Sequence, residues 1–392
     1  MIKKYRNEFN QQFSVENYQK VQDLILSEIG GKTGFRLSES PIFLPKSFRD
    51  KLLNVSESII KQIKSFSDDE LQKAIPKNCY VPNDTQKPHF LAIDFGVCRD
   101  EKGEISPKLI ELQAFPSLFG FQFIYEDILA RVYPFLGHLK TTPSQSNYIE
   151  KLKKIIIGNE NPENVILLEI FPEKQKTNID FKVTENFLGI KTVCLTQIAK
   201  EGKKLFYTCN GMKTPIHRIY NRVIFDELEK IPNLNLTFDF REELDVEWVT
   251  HPNWFFKVSK YILPKLEHEF IPKSYYLHEF PNQENLRDFV LKPLFSFAGS
   301  GVNLNPKQGE IDQIKDKENY ILQRKVMYEP LFEDANGEFS KAEIRLLYLW
   351  HPEQENPDLT VNLVRMTKAA MVNVDFNKKD AIWIGSSVAL FG

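Results

Sequence analysis

The sequence has little of what marks chemistry based on cysteine, histidine or zinc. Its four cysteines, Cys79, Cys98, Cys194 and Cys209, stand far apart. They lack the C-x-x-C spacing of a zinc or redox site and are too few for a dense disulfide framework, so they read as buried free thiols. The seven histidines are equally scattered. H-E-x-x-H is absent, and no histidine stands where a Cys–His nucleophile would need it. G-x-G-x-x-G is missing too, which removes the dinucleotide-binding version of any β-α-β unit. No apolar run approaches membrane-spanning length, and the basic opening from Met1 to Arg6 is followed by polar residues. A cytoplasmic protein with no membrane partner is expected. Neither sign of charge dominates: 51 Lys and Arg stand against 53 Asp and Glu, a formal charge of -2. Such a balance gives no general attraction to a polyanion, so nucleic acid is not an expected partner.

What is present is ordinary globular material. At 392 residues, with 42% hydrophobic and 27% charged residues, the chain should fold into two or three packed subdomains. Residues 1–84 read as a mainly helical region, with Val21, Leu24, Ile25 and Ile29 at helical spacing before Gly30-Gly31. Residues 85–145 open on two short alternating strands, Phe90 to Phe95 and Leu109 to Gln113, joined by the turn-rich Asp100-Glu101-Lys102-Gly103. Residues 146–250 show a β-α-β rhythm with strands at Val165 to Leu168 and Thr192 to Leu195, and end in an acidic stretch, 228–250, that suits a surface connection. Residues 251–392 carry a helix around Lys260 and then strands separated by polar turns, an α+β arrangement.

Four features can carry chemistry. The run Phe289 to Val302 is a strand with Lys292 near its end, followed by Gly299-Ser300-Gly301. Glycines let backbone N–H groups turn toward phosphate oxygens, and a lysine adds a point charge; a plain glycine turn after an edge strand is the competing reading. The strand Tyr320 to Val326 places Gln323 and Val326 after an apolar run, as a segment bordering an adenine edge or as an ordinary surface strand end. Within Ala342 to Trp350, alternation puts Glu343 and Arg345 on one face with Leu347 and Leu349, and Arg365 ends a similar strand. Charges in an apolar strand are costly unless paired or bound to something, so this is either a structural ion pair or a phosphate-facing wall. Last, Asp94 on one hairpin strand and Glu111 and Gln113 on the other share a face and offer oxygen ligands of the kind Mg²⁺ takes.

Taken together these segments resemble the ATP-grasp superfamily, and specifically its circularly permuted branch of glutathionylspermidine synthase-like proteins, in which a D…E-x-N metal hairpin precedes the nucleotide loops. Asp94 and Glu111-Leu112-Gln113 precede Val258-Ser259-Lys260-Tyr261, Lys292-Pro293, Gln323 and Arg365 in that order. The resemblance implies an α+β ATP-grasp fold, permuted in order, with an accessory α/β pre-ATP-grasp domain and a helical N-terminal region. It implies ATP and Mg²⁺ as cofactors, Asp94, Glu111 and Gln113 as metal ligands, and Lys260, Lys292, Gly299, Ser300, Gly301, Gln323 and Val326 at the nucleotide. Arg365, Arg345 and Glu343 become catalytic, and Arg218 and Arg222 hold a substrate carboxylate. The implied activity is a carboxylate–amine ligase acting through an acyl phosphate on small molecules. A kinase-like phosphotransferase and a nucleotide binder without turnover are the alternatives. The chain departs from the branch at Ala92, where the family has arginine, at Gln113 for asparagine, and in the loop S-F-A-G-S-G.

Overall fold

The computed structural model describes residues 1–140, 144–224, 228, 230–296, 299–369 and 382–392. Its centre is a mostly antiparallel sheet whose strands lie in the order Gly385–Ser387, Asp358–Thr367, Phe339–Leu349, Phe90–Arg99 and Ile105–Gln113, with Phe332–Glu333 pairing beside Phe339–Leu349. The hairpin expected from the turn at Asp100 is therefore one edge of a larger sheet. Side-chain alternation explains its two faces. Ala342, Ile344, Leu346 and Tyr348 pack with Leu91, Ile93 and Phe95 against Phe48, Leu52, Val55 and Ile59 of the helix Lys46–Ser65. On the opposite face Leu347 and Leu349 pack with Phe90, Ala92, Phe119 and Tyr148, while Glu343 and Arg345 continue the same row into a cavity.

A second, smaller sheet stands across that cavity: Ser274–Tyr276, Tyr320–Arg324 and Phe289–Pro293, antiparallel, with Tyr320–Arg324 in the middle. Phe289, Leu291 and Leu322 fill its own small core with Leu277 and Ile311. Val290, opposite Gln323 in the register, and Lys292 two residues on fall on the other face, toward the large sheet.

The α/β unit after residue 145 has four parallel strands in the order Glu247–Val249, Arg218–Asn221, Val165–Glu169 and Lys191–Cys194, with helices Gln145–Ile156 and Asn178–Leu188. The β-α-β reading holds. The acidic stretch 228–250 does more than connect: Phe238, Phe240, Leu244 and Trp248 are buried in this unit's core, and Glu247–Val249 is one of its strands. Its aromatics outweigh its charges, because each buries a large apolar area on folding.

The N-terminal region is helical as read, with Lys3–Gln12, Val15–Ile29 and Lys46–Ser65, and Gly30 closes the second helix at φ 79°. It is tied to the other end of the chain. Ile42–Leu44 pairs in parallel with Ala389–Phe391, and Phe9, Val21 and Ile25 share a core with Phe121, Tyr125, Trp383 and Leu390. None of Cys79, Cys98, Cys194 and Cys209 is in a disulfide. No helix among the described residues is long and apolar enough to cross a membrane.

Candidate active site

The two sheets face one another across a cavity of about 360 Å³. Glu111, Gln113, Glu343, Arg345 and Arg365 line it from the large sheet, and Val290, Lys292, Gln323 and Arg324 from the small one. Lys260 closes one side. Ser259 accepts a hydrogen bond from the Tyr261 N–H and so starts the short turn that presents Lys260.

The register of the large sheet sets the ionic network. Asp94 is opposite both Glu111 and Arg345, and Glu343 is opposite Arg365. Arg345 donates from Nε to Asp94 Oδ1 and from Nη2 to Oδ2, 2.7 Å each. Arg365 Nη2 donates to Asp94 Oδ2 at 2.5 Å and also to Glu343 Oε1. The Tyr328 hydroxyl donates to Glu343 Oε2 at 2.8 Å. Burial pushes the Asp94 carboxyl up, but the two guanidiniums outweigh it and hold the group below the usual carboxylate range. Glu343 is bonded by one guanidinium and a phenol; burial, helped by the nearby Asp94 charge, outweighs the arginines there, and its carboxyl is raised.

The lysines form a second tier. Lys292 Nζ donates to Gln323 Oε1 at 2.5 Å and to the Ile110 carbonyl at 3.1 Å. Burial lowers its pKa to about 8, with the Glu111 charge opposing. Lys260 Nζ donates to the Ser296 carbonyl at 3.2 Å and lies 3.8 Å from a Glu111 carboxylate oxygen. Glu111 keeps 30% of its side chain exposed, so its carboxylate remains available to a ligand. Gly299 and Val326 also line the cavity; Ser300 and Gly301 lie just outside its wall. Gly301 has φ 72°, and a Cβ there would come within 2.8 Å of Pro293 Cγ, so this turn needs glycine. Phe297 and Ala298 of the same loop lie outside the described residues.

Most of the residues singled out from the sequence thus converge on one cavity. Asp94 shares their sheet face but is buried behind it, 1% exposed, with both oxygens engaged by arginine. No group of three or more His, Cys, Asp or Glu side chains able to hold a metal ion occurs among the described residues. The two substrate arginines are placed differently from expectation. Arg218 donates to the carbonyls of Ile155 and Ile156 and pairs with Glu247, so it closes the C-terminus of the helix Gln145–Ile156 instead of facing the cavity. Arg222 donates to the Pro116 carbonyl at 2.7 Å and to Ser117 Oγ at 2.5 Å, behind the cavity wall. Tyr328, Phe115, Leu118, Phe255 and Phe295 also line the cavity and were not foreseen. Phe115 and Leu118 follow the Glu111-x-Gln113 strand, Phe295 lies three residues after Lys292, Tyr328 two after Val326 and Phe255 five before Lys260, so closeness in sequence to the singled-out residues was the available signal.

No protein-family model matches the chain, and no curated protein does. Among solved structures it resembles a glutathione synthetase-like effector from Globodera pallida, solved in its apo form, with a TM-score of 0.62 over 96% of each chain at 11% identity. The chain therefore has a mixed α+β, glutathione synthetase-like fold.

Proposed function

We propose that this chain is a Mg-ATP-dependent ligase of the ATP-grasp type, in permuted order, that joins a carboxylate to an amine through an acyl phosphate. The observation that carries the reading is the cavity between the two antiparallel sheets, where Lys260, Lys292, Arg345 and Arg365 gather beside the part-exposed Glu111. Cations from both walls suit a polyphosphate, and the apolar Val290, Val302 and Val326 on the small-sheet side suit a base. Mg²⁺ keeps several waters and takes one or two carboxylates together with phosphate oxygens. Glu111 and the amide oxygen of Gln113 meet that modest demand, and both border the cavity. When bound, the ion would supply positive charge that offsets the charge on the phosphates.

In this reading Lys292 and Lys260 hold the phosphates. The guanidiniums of Arg365 and Arg345 stabilise the charge that develops as the γ-phosphoryl group leaves ADP for the substrate carboxylate. The amine then attacks the acyl carbon, phosphate leaves, and Glu343, whose carboxyl burial raises, is assigned the proton that the amine loses. The test is incubation with Mg-ATP, pooled amino acids, small peptides, polyamines and hydroxylamine, read by mass spectrometry. An amide or hydroxamate formed with ADP supports the ligase, and a stable phosphorylated small molecule supports a kinase. AMP as the sole nucleotide product excludes the acyl phosphate.

One observation favours a second reading, a nucleotide binder without turnover. Asp94, one of the expected metal ligands, has both oxygens occupied by arginine. Binding of a non-hydrolysable ATP analogue without ATP consumption across all pools is the result that selects it.

A further inference from the structure

One part of the cavity wall is uncharged: Phe115, Ser117, Leu118, Thr177, Phe255 and Phe295. The rings of Phe115 and Phe255 lie edge to face with centroids 6.1 Å apart, and Phe255 and Phe295 are 6.3 Å apart, so the aromatics form one continuous surface. Lys260 joins it to the charged part, since its Nζ bonds the Ser296 carbonyl beside Phe295 and also approaches Glu111. The acidic side chains lining the cavity are Glu111 and Glu343, and both stand on the large sheet.

The backbone of this wall is fixed with care. Leu118 sits at φ 76°, a conformation that residues other than glycine seldom adopt. Asp180 holds it there, accepting from the Leu118 N–H and the Phe121 N–H at 2.8 Å each. Arg222 fixes the two preceding residues from behind through the Pro116 carbonyl and Ser117 Oγ. A buried guanidinium and a buried carboxylate thus hold the segment from Pro116 to Phe121, with Leu118 in its strained conformation, and Phe115 and Leu118 line the cavity. Glycine would relax the backbone at 118 but would leave no apolar group there.

We propose that the substrate other than ATP carries an aromatic or branched apolar group, which packs among Phe115, Leu118, Phe255 and Phe295. The proposal rests on the ligase reading and names the substrate class for it. A polyamine would need carboxylates along this wall and an acidic side chain would need cations, whereas the residues there are apolar or neutral. Arg222, a cation behind the wall, is engaged with the Pro116 carbonyl and Ser117 Oγ. Water displaced from rings and a leucine side chain favours an apolar ligand group, and an unpaired charge placed there would lose its hydration.

The full chain with Mg²⁺ and a non-hydrolysable ATP analogue tests this by calorimetry, with L-phenylalanine and L-leucine set against L-glutamate and spermidine; each amino acid offers both a carboxylate and an amine. Phenylalanine or leucine should bind at least about tenfold more tightly than either polar probe, the discrimination typical of an apolar pocket. Leu118→Asn should remove about that factor, because asparagine tolerates the left-handed backbone and so preserves the wall while making it polar. Phe255→Ala should weaken phenylalanine at least tenfold more than it weakens the nucleotide analogue. Tighter binding of glutamate or spermidine overturns the proposal, as does nucleotide binding with no apolar probe bound. Failure of the analogue to bind, with phenylalanine bound to the protein alone, instead defeats the ligase reading and leaves the apolar subsite standing.

Discussion

Arg345 grips Asp94 by both carboxylate oxygens, at 2.7 Å each, from the neighbouring strand of the large sheet. Arg365 adds a third bond, so one buried carboxylate organises the two guanidiniums that face the cavity. Removing one member of such a group leaves a buried charge uncompensated, a loss of about 3–5 kcal/mol. Asp94→Asn should therefore lower stability in urea unfolding by that order, while Asp94→Asn with Arg345→Met should recover part of the loss. Additive effects of the two changes would show that the pair is not coupled.

Lys292 gives the site a pH signature. Burial lowers its pKa to about 8, and a bound phosphate favours the charged form. Below pH 8 the lysine is already protonated, and affinity for an Mg-ATP analogue should be flat. Above it, binding must take up a proton, so affinity should fall, by up to about tenfold per pH unit. Calorimetry from pH 7 to 9.5 in buffers of different ionisation enthalpy reads both affinity and proton uptake. Lys292→Met should bind more weakly and lose the slope; an equal slope in the variant would assign the titration elsewhere.

The parts of this structure legible in the sequence are those that depend on local period. Alternation along 339–349 put Glu343 and Arg345 on one face, and the hairpin put Asp94 with Glu111 and Gln113. What period alone does not supply is the partner across the sheet. Asp94 and Arg345 are 251 residues apart, and the same alternation is compatible with an aspartate that meets a metal or one that meets an arginine. Arg218 shows the other limit. Its strand begins beside a helix C-terminus whose last carbonyls need donors, and that need arises only once the α/β unit has packed. Phe255 and Phe295 stand near Lys260 and Lys292 in sequence, but that their rings meet each other and Phe115 on one wall follows only from tertiary packing.

Arg222 separates a structural tie from a substrate contact. Its guanidinium bonds the Pro116 carbonyl and Ser117 Oγ and lies 5.5 Å from the Phe115 ring centroid. Arg222→Leu leaves those acceptors without a donor, at about 1–3 kcal/mol for each one that water does not reach. The variant should be destabilised in urea, with the analogue's affinity for the remaining folded protein reduced far less. An Arg222→Leu variant as stable as the parent but specifically defective toward a carboxylate probe would restore the role expected from the sequence.

His89 predicts how the fold responds to acid. It is buried, accepts a hydrogen bond from the Thr250 N–H at Nδ1 (3.3 Å), and its pKa is lowered to about 3 by burial first, then by Arg218, His251 and His351. A histidine held neutral in the folded state contributes stability that is fully present above its unfolded pKa, roughly 6.5. As pH falls below that value the unfolded chain binds a proton that the folded chain refuses, and stability declines by up to about 1.4 kcal/mol per pH unit. Asp94, lowered by its arginines, acts in the same direction but only as pH falls below roughly 4. Glu343, raised by burial, acts oppositely. In the interval from pH 6.5 to 4.5 the raised carboxyls of Glu343 and Asp180 oppose the histidines, so the difference between the parent and a His89 variant is what isolates His89. Urea unfolding across this interval should show a midpoint that falls less steeply in His89→Asn, which keeps an acceptor for Thr250 but cannot titrate, than in the parent. The remaining slope is expected from His251, also buried and lowered, set against the two carboxyls. A variant slope equal to that of the parent would mean that His89 is already protonated in the folded protein.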